Sequence, residues 1–232
     1  MKYDLNNCRT IFFDLEYYVP IEKREGHGFK YNPWEEKSFL IGGSFLSVSP
    51  KSKDYDSIQN KIKSFWIWDY EGNEGKLIKD IYDFLMNDGV RKSHNGVSSV
   101  LCGINILHSD LPVILNLLNK YNIATNSELF TFQNSFRSID LSILSIGAFN
   151  NNIGFLYPKK KAEITSKFYN QKLFDSGSSV WEMYDNKEFS KIKERVQEEI
   201  QITFNVYQKL IDYYNKNNVL LKESKKIAHN TD

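Results

Sequence analysis

The chain has 232 residues, 41% of them hydrophobic and 15% aromatic, which is ample for one packed domain with insertions. Thirty Lys and Arg stand against 29 Asp and Glu, which excludes a surface-wide basic field, so any attraction for a nucleic acid must be local. The two cysteines, Cys8 and Cys102, lack metal-site spacing, residues 1–7 hold no apolar signal region, and no apolar run reaches membrane-spanning length, so the expectation is a soluble cytoplasmic protein without a membrane partner.

In chain order, residues 10–17 open as the apolar run of a strand buried on both faces and end in Asp14 and Glu16. Side chains two apart on a strand share a face, so both carboxylates aim at one spot while Leu15 points away. Carboxylates that close repel each other and resist losing water. The pair calls for a cation between them or a proton kept for acid/base work; the alternative is a strand end with both acids in solvent. Residues 17–37 read as an inserted loop, with Pro20, Gly26, Gly28 and Pro33 as loop signals from Val19 onward. It is either a lid beside the acids or a surface excursion. Residues 38–49 read as a second strand with a glycine bulge, and residues 64–68 as a third, completing an antiparallel meander.

Residues 75–86 repeat apolar side chains at helical spacing. Residues 100–104 read as a buried strand containing Cys102 as a small core residue. Asn105 follows, and Asp110 then opens a helical pattern with Pro112 in its first turn, where an acid also serves as a cap. Phe130, Thr131 and Phe132 read as a short strand, residues 136–141 as another with Asp140 at its exit, and residues 143–149 as a short helix. The run Pro158-Lys159-Lys160-Lys161 is a solvated loop or, in the sharper reading, a phosphate-contacting patch. Residues 187–214 carry the clearest helical pattern, from Phe189 and Ile192 to Leu210 and Tyr214. On a wheel of about 100° per residue its apolar face centres about 50° from Glu199, while Glu194, Glu198 and Asp212 fall on the far side. A carboxylate so placed needs a partner, either an Arg or Lys in an ion pair or a metal. Residues 221–232 form a polar, charged tail.

Four acids thus stand in order: two on an early strand, one entering a middle helix, one on a late helix. Three blocks carry a resemblance: Phe13-Asp14-Leu15-Glu16; the stretch 103–112, with Gly103-Ile104-Asn105 leading to Asp110-Leu111-Pro112; and Gly177-Ser178-Ser179-Val180-Trp181-Glu182-Met183-Tyr184 continuing to Glu199-Ile200-Gln201-Ile202-Thr203. Together they resemble the DEDD family of 3′-5′ exonucleases, in particular the predicted exonucleases related to the proofreading domain of family B DNA polymerases. The resemblance implies an α/β, RNase H-like mixed sheet, an antiparallel meander plus parallel strands flanked by helices, in one domain over residues 1–220. It implies release of nucleoside 5′-monophosphates from a 3′ end by a two-metal-ion mechanism with Mg²⁺, for which Mn²⁺ substitutes. By that resemblance Asp14 bridges both ions, Glu16 and Glu199 hold the ion that activates water, and Asp110 helps hold the ion at the leaving oxygen. Asn105 steadies its loop or contacts the substrate. Tyr17, with Tyr18 and Trp34, is available to stack on bases, and Lys160 to meet phosphate. The implied partner is a nucleic acid, DNA before RNA, and stand-alone proteins of this type occur in anti-phage defence. The third block departs from the pattern. Glu199 stands where the family has Asp, and Arg195 and Glu194 stand where it has Tyr or His; Tyr184, His108 or His94 would have to orient the attacking water instead. The alternative is therefore a catalytically degenerate module of the same fold that binds nucleic acid or a protein partner.

Overall fold

The computed structural model describes residues 9–26, 28–49, 54–87, 99–149, 157–169 and 177–229, with side chains to residue 217. Strand β1 (Thr10–Tyr18) is the centre of the sheet because nearly every residue in it is buried, Ile11, Phe12, Phe13 and Leu15 almost completely. Such a strand must be covered on both faces. β2 (Phe39–Val48) pairs with it antiparallel, and β3 (Ile62–Trp66) pairs with β2 antiparallel. On its other side β1 pairs in parallel with β4 (Ser99–Gly103), and β4 with β5 (Phe136–Asp140). The order β3-β2-β1-β4-β5 is the mixed sheet expected of the RNase H-like arrangement.

The period-2 alternation of β1 sends its side chains into two different cores. Ile11, Phe13, Leu15 and Tyr17 pack with α1 (Glu74–Phe84) and α2 (Asp110–Lys120) through Leu77, Ile81, Ile114 and Leu117. Phe12 faces the opposite way and meets Ile164 and Phe168 of α5 (Lys161–Tyr169) and Ile200, Phe204 and Leu210 of α7 (Phe189–His229). Removing any of these large apolar side chains from water stabilises the fold by about 1.5–3 kcal/mol. Asp14 and Glu16 continue the Phe12 face, so the strand's own alternation points both acids toward α7. The bulge expected in the second strand lies beside them. Glu16 pairs with Gly42 and Tyr17 with Leu40, leaving Ile41 as the extra residue. Gly42 has φ +141°, and a Cβ there would sit 2.0 Å from the Phe65 carbonyl oxygen, so the bulge requires glycine.

Several expectations are corrected. Phe130 and Phe132 do not form a strand; they lie in α3 (Asn126–Ser135), which starts from a capping box between Thr125 and Glu128. The third strand ends at Trp66, and Trp68 belongs to a 3₁₀ turn, Ile67–Tyr70. The short helix near residue 143 is α4 (Leu141–Leu144), followed by a 3₁₀ turn, Ser145–Ala148. A further helix, α6 (Ser179–Asp185), precedes α7, whose backbone stays helical to His229, through most of the segment read as a tail. Cys102 is buried and unpaired by any disulfide, as expected of a core residue. Among the described residues no helix is long and apolar enough to cross a membrane.

Candidate metal centre

The acids of β1 meet α7 where that helix docks on the sheet. Ile192, Val196, Ile200 and Phe204 recur every four residues as its fully buried stripe. Glu199, three residues after Val196, lies within the stripe's reach and is 2% exposed. One oxygen each of Asp14, Glu16 and Glu199 come within 4.8 Å of one another. The convergence follows from strand alternation on one side and helical periodicity on the other.

Two cations enter this nest. Lys161 Nζ, from the first residue of α5, lies 2.6 Å from Glu199 Oε2 and 3.8 Å from Asp14 Oδ1. Arg195, one turn before Glu199 on α7, places Nη2 at 3.3 Å from Glu199 Oε1 and Nε at 3.7 Å from Glu16 Oε1. Its Nη1 donates to Ser179 Oγ at 2.8 Å, which ties the guanidinium to α6. Among the described residues three carboxylates face these two cations. Burial, followed by repulsion from Glu199, pushes the Glu16 carboxyl up to about 8 against the pull of Arg195 and Lys161. Burial likewise raises Asp14 well above the usual carboxylate range, although Lys161 opposes it. Burial works in the same direction on Glu199, but Lys161, a hydrogen bond from Asp14 and Arg195 together hold it below its ordinary value. Burial also works against the Lys161 ammonium, yet Asp14 and Glu199 keep it more basic than a free lysine.

Glu199 Oε1 is buried and accepts no hydrogen bond among the described residues. A buried carboxylate oxygen with the Arg195 guanidinium at 3.3 Å but no hydrogen bond, beside two further carboxylates, makes a donor set of hard oxygens, which fits a hard divalent cation of the Mg²⁺ class.

Asp110 does not join this group. It starts α2, whose apolar side chains pack on the Leu15 face of β1, and its charge still bears on Glu16. Oδ1 accepts from the Leu15 amide and the Tyr17 hydroxyl, each at 3.1 Å, and Oδ2 accepts from Ser109 Oγ. Burial raises Asp110 to about 6, with the Ser109 and Tyr17 hydrogen bonds pulling the other way. Asp110 thus pins the strand end that carries the other two acids, and it lines the same groove.

That groove has a volume of about 1250 Å³, above the range of pockets that enclose a drug-sized ligand, and suits a polymer segment. Asn105 stands on its wall, exposed, with a left-handed backbone (φ +64°) of the kind Asn tolerates. Its turn is held by Asp140, whose carboxylate accepts from the Asn105 amide at 2.9 Å and the Leu107 amide at 3.0 Å. Lys160 is on the rim and exposed; its backbone N–H bonds Glu163 Oε2, and its successor Lys161 is the lysine that reaches the acids. Tyr17 is corrected as a stacking surface. Its ring is buried and stacked on Tyr31 at 4.6 Å, and its hydroxyl is committed to Asp110. Trp34 is exposed but borders a different depression, and Tyr18 is bonded to Asp185. The exposed rings on the groove are Phe29 and Tyr157, single aromatics in loops without a periodic signal to mark them. Arg24, Gly26, Gly28, Phe29, Lys30 and Tyr31 of the inserted loop border the groove, and Arg24 fastens that loop to α6 through Asp185 at 2.8 Å. His108 also borders the groove. Tyr184 packs among Tyr18, Phe39, Trp68 and Phe189 instead, and His94 lies outside the described residues. Comparison of the sequence with protein-family models and with curated proteins gave no match.

Proposed function

We propose that the chain is an Mg²⁺-dependent 3′-5′ exonuclease of the DEDD type, with Mn²⁺ as a substitute ion and a nucleic acid, DNA before RNA, as substrate. The observation that carries this reading is the convergence of Asp14, Glu16 and Glu199 within 4.8 Å on the wall of a groove of about 1250 Å³. The three carboxylates would hold the ion. The chemistry an ion supplies when bound there is a water nucleophile at neutral pH and neutralisation of the phosphodiester charge. The remaining work falls to the chain itself. Asp110 fixes the end of β1 through the Leu15 amide, so that Asp14 and Glu16 keep their common aim. Lys159 and Lys160 on the rim offer positive charge to the backbone phosphates of the bound strand. Phe29 and Tyr157 offer exposed rings to its terminal bases. Water oxygen attacks the last phosphorus, the bond from phosphorus to the 3′ oxygen breaks, and that oxygen leaves as a hydroxyl with a nucleoside 5′-monophosphate as the other product.

A 3′-labelled single strand of DNA, with RNA in parallel, incubated with purified protein and Mg²⁺ tests this. Release of labelled mononucleotide that a chelator abolishes is the expected result. Tight binding of the strand with no chelator-sensitive release would overturn it in favour of a second reading, a non-catalytic binding module. The specific support for that reading is the pair Lys161 and Arg195, which already neutralise part of the cluster from within.

A further inference from the structure

The three carboxylates form a triangle, and two of its edges are spanned by the chain's own cations. Lys161 Nζ bridges the edge from Asp14 to Glu199, at 3.8 and 2.6 Å. The Arg195 guanidinium bridges the edge from Glu16 to Glu199, at 3.7 and 3.3 Å. Among the described residues no lysine or arginine nitrogen bridges the third edge, from Asp14 to Glu16. Mg²⁺ takes its oxygen ligands at about 2.1 Å, so an ion shared by Asp14 and Glu199 needs the space that Nζ fills. Lys161 is delivered there by structure rather than by a free tail. It opens α5, its carbonyl accepts from Thr165 Oγ1 at 2.8 Å, and Ile164 and Phe168 bury that helix in the core that also holds α7.

We infer that Lys161 is a tethered cation standing in one of the two ion positions, so that this centre takes a single divalent ion, on the edge from Asp14 to Glu16. The inference rests on the metal-centre reading proposed above and sharpens it from two ions to one. A variant without the ammonium opens the second position.

The test counts ions. The full chain is titrated with Mn²⁺ while electron paramagnetic resonance follows free and bound ion. One Mn²⁺ per wild-type chain, with the six-line signal of an isolated ion, is the expected result. Lys161→Met, which removes the charge and keeps the bulk, then takes up a second Mn²⁺ at least about tenfold more tightly than wild type does, because a like charge has left its ligands. Two ions about 4 Å apart would couple and broaden the signal. Two ions in wild type, or only one in Lys161→Met, overturns the inference and leaves the exonuclease reading standing. No Mn²⁺ bound to wild type sinks both. Should Lys161→Met not fold, the wild-type count decides alone.

Discussion

Glu74 and Glu199 are buried to nearly the same degree, 6% and 2% exposed, yet they sit in opposite company. Glu74 begins α1 and meets donors alone. Oε1 accepts from the Leu40 amide and the Tyr31 hydroxyl, and Oε2 from the Tyr121 hydroxyl and Lys120 Nζ. Every lone pair it turns inward has work in holding β2, α1 and α2 together. Glu199 meets two other carboxylates as well as Lys161 and Arg195, and among the described residues one of its oxygens accepts no hydrogen bond. The lesson is one of balance. Where donors match acceptors, a buried acid ties the fold; where acceptors outnumber donors, the surplus is a standing demand for a cation or for protons.

The sharpest way to break this contrast is to replace one acid at each place. Asp14→Asn removes charge from the surplus cluster without changing its volume. Chelator-sensitive hydrolysis should fall by roughly a thousandfold, since charge stabilisation at such centres is worth several kcal/mol. The melting temperature should hold or rise. Loss of activity matched by loss of fold would mean that Asp14 is a structural acid like Glu74. The converse change is Glu74→Ala, which leaves a buried amide and two hydroxyls short of an acceptor. Urea denaturation should report about 3 kcal/mol of lost stability, with hydrolysis per folded molecule unchanged.

Acidity sharpens the contrast further. Glu16 moves from 4.5 in a free chain to about 8 in the folded protein, and Asp14 moves in the same direction. A raised carboxyl binds a proton when folded that it has lost when unfolded, so its contribution to stability is present below pH 4.5 and disappears as pH climbs through 8. Glu199, shifted downward, has the opposite dependence, with its contribution lost on acidification. In chelator the melting temperature should therefore drop between pH 5.5 and 8. Mn²⁺ should reverse most of the drop, because an ion bound to these oxygens displaces their protons. Calorimetry in buffers of different ionisation enthalpy should register proton release on binding. A melting temperature indifferent to Mn²⁺ across that range would count against the cluster as a metal centre. The smallest effect is expected at the buttress. Tyr17→Phe takes one hydrogen bond from Asp110 and should cost about 1 kcal/mol in urea denaturation.

The parts of the centre that follow from periodicity were legible before any coordinates. Alternation put Asp14 and Glu16 on one face, and the helical wheel singled out Glu199 against Glu194 and Glu198. What local pattern leaves open is which side of a sheet a helix will cover. Asp110 has the right spacing after its strand, but α2 packs on the Leu15 face, and its carboxylate accepts from the strand's own Leu15 amide while lining the same groove as the other three acids. The lysine run shows the same boundary. A string of charges reads as a solvated loop, and whether Lys160 or Lys161 turns inward depends on where α5 begins and how it leans on α7. Arg195 was visible as a departure from a motif, while its bridging of Glu16 and Glu199 is a tertiary fact. At Phe130 the Thr125 to Glu128 capping box is a local helix signal that outweighs two aromatics at alternate positions.

The most direct measurement is anomalous diffraction from a crystal of the protein soaked in Mn²⁺. A peak bonded to carboxylate oxygens of both Asp14 and Glu16 is the result expected of a metal centre. A map with no peak at millimolar Mn²⁺, with Lys161 and Arg195 still seated among the three acids, would contradict it.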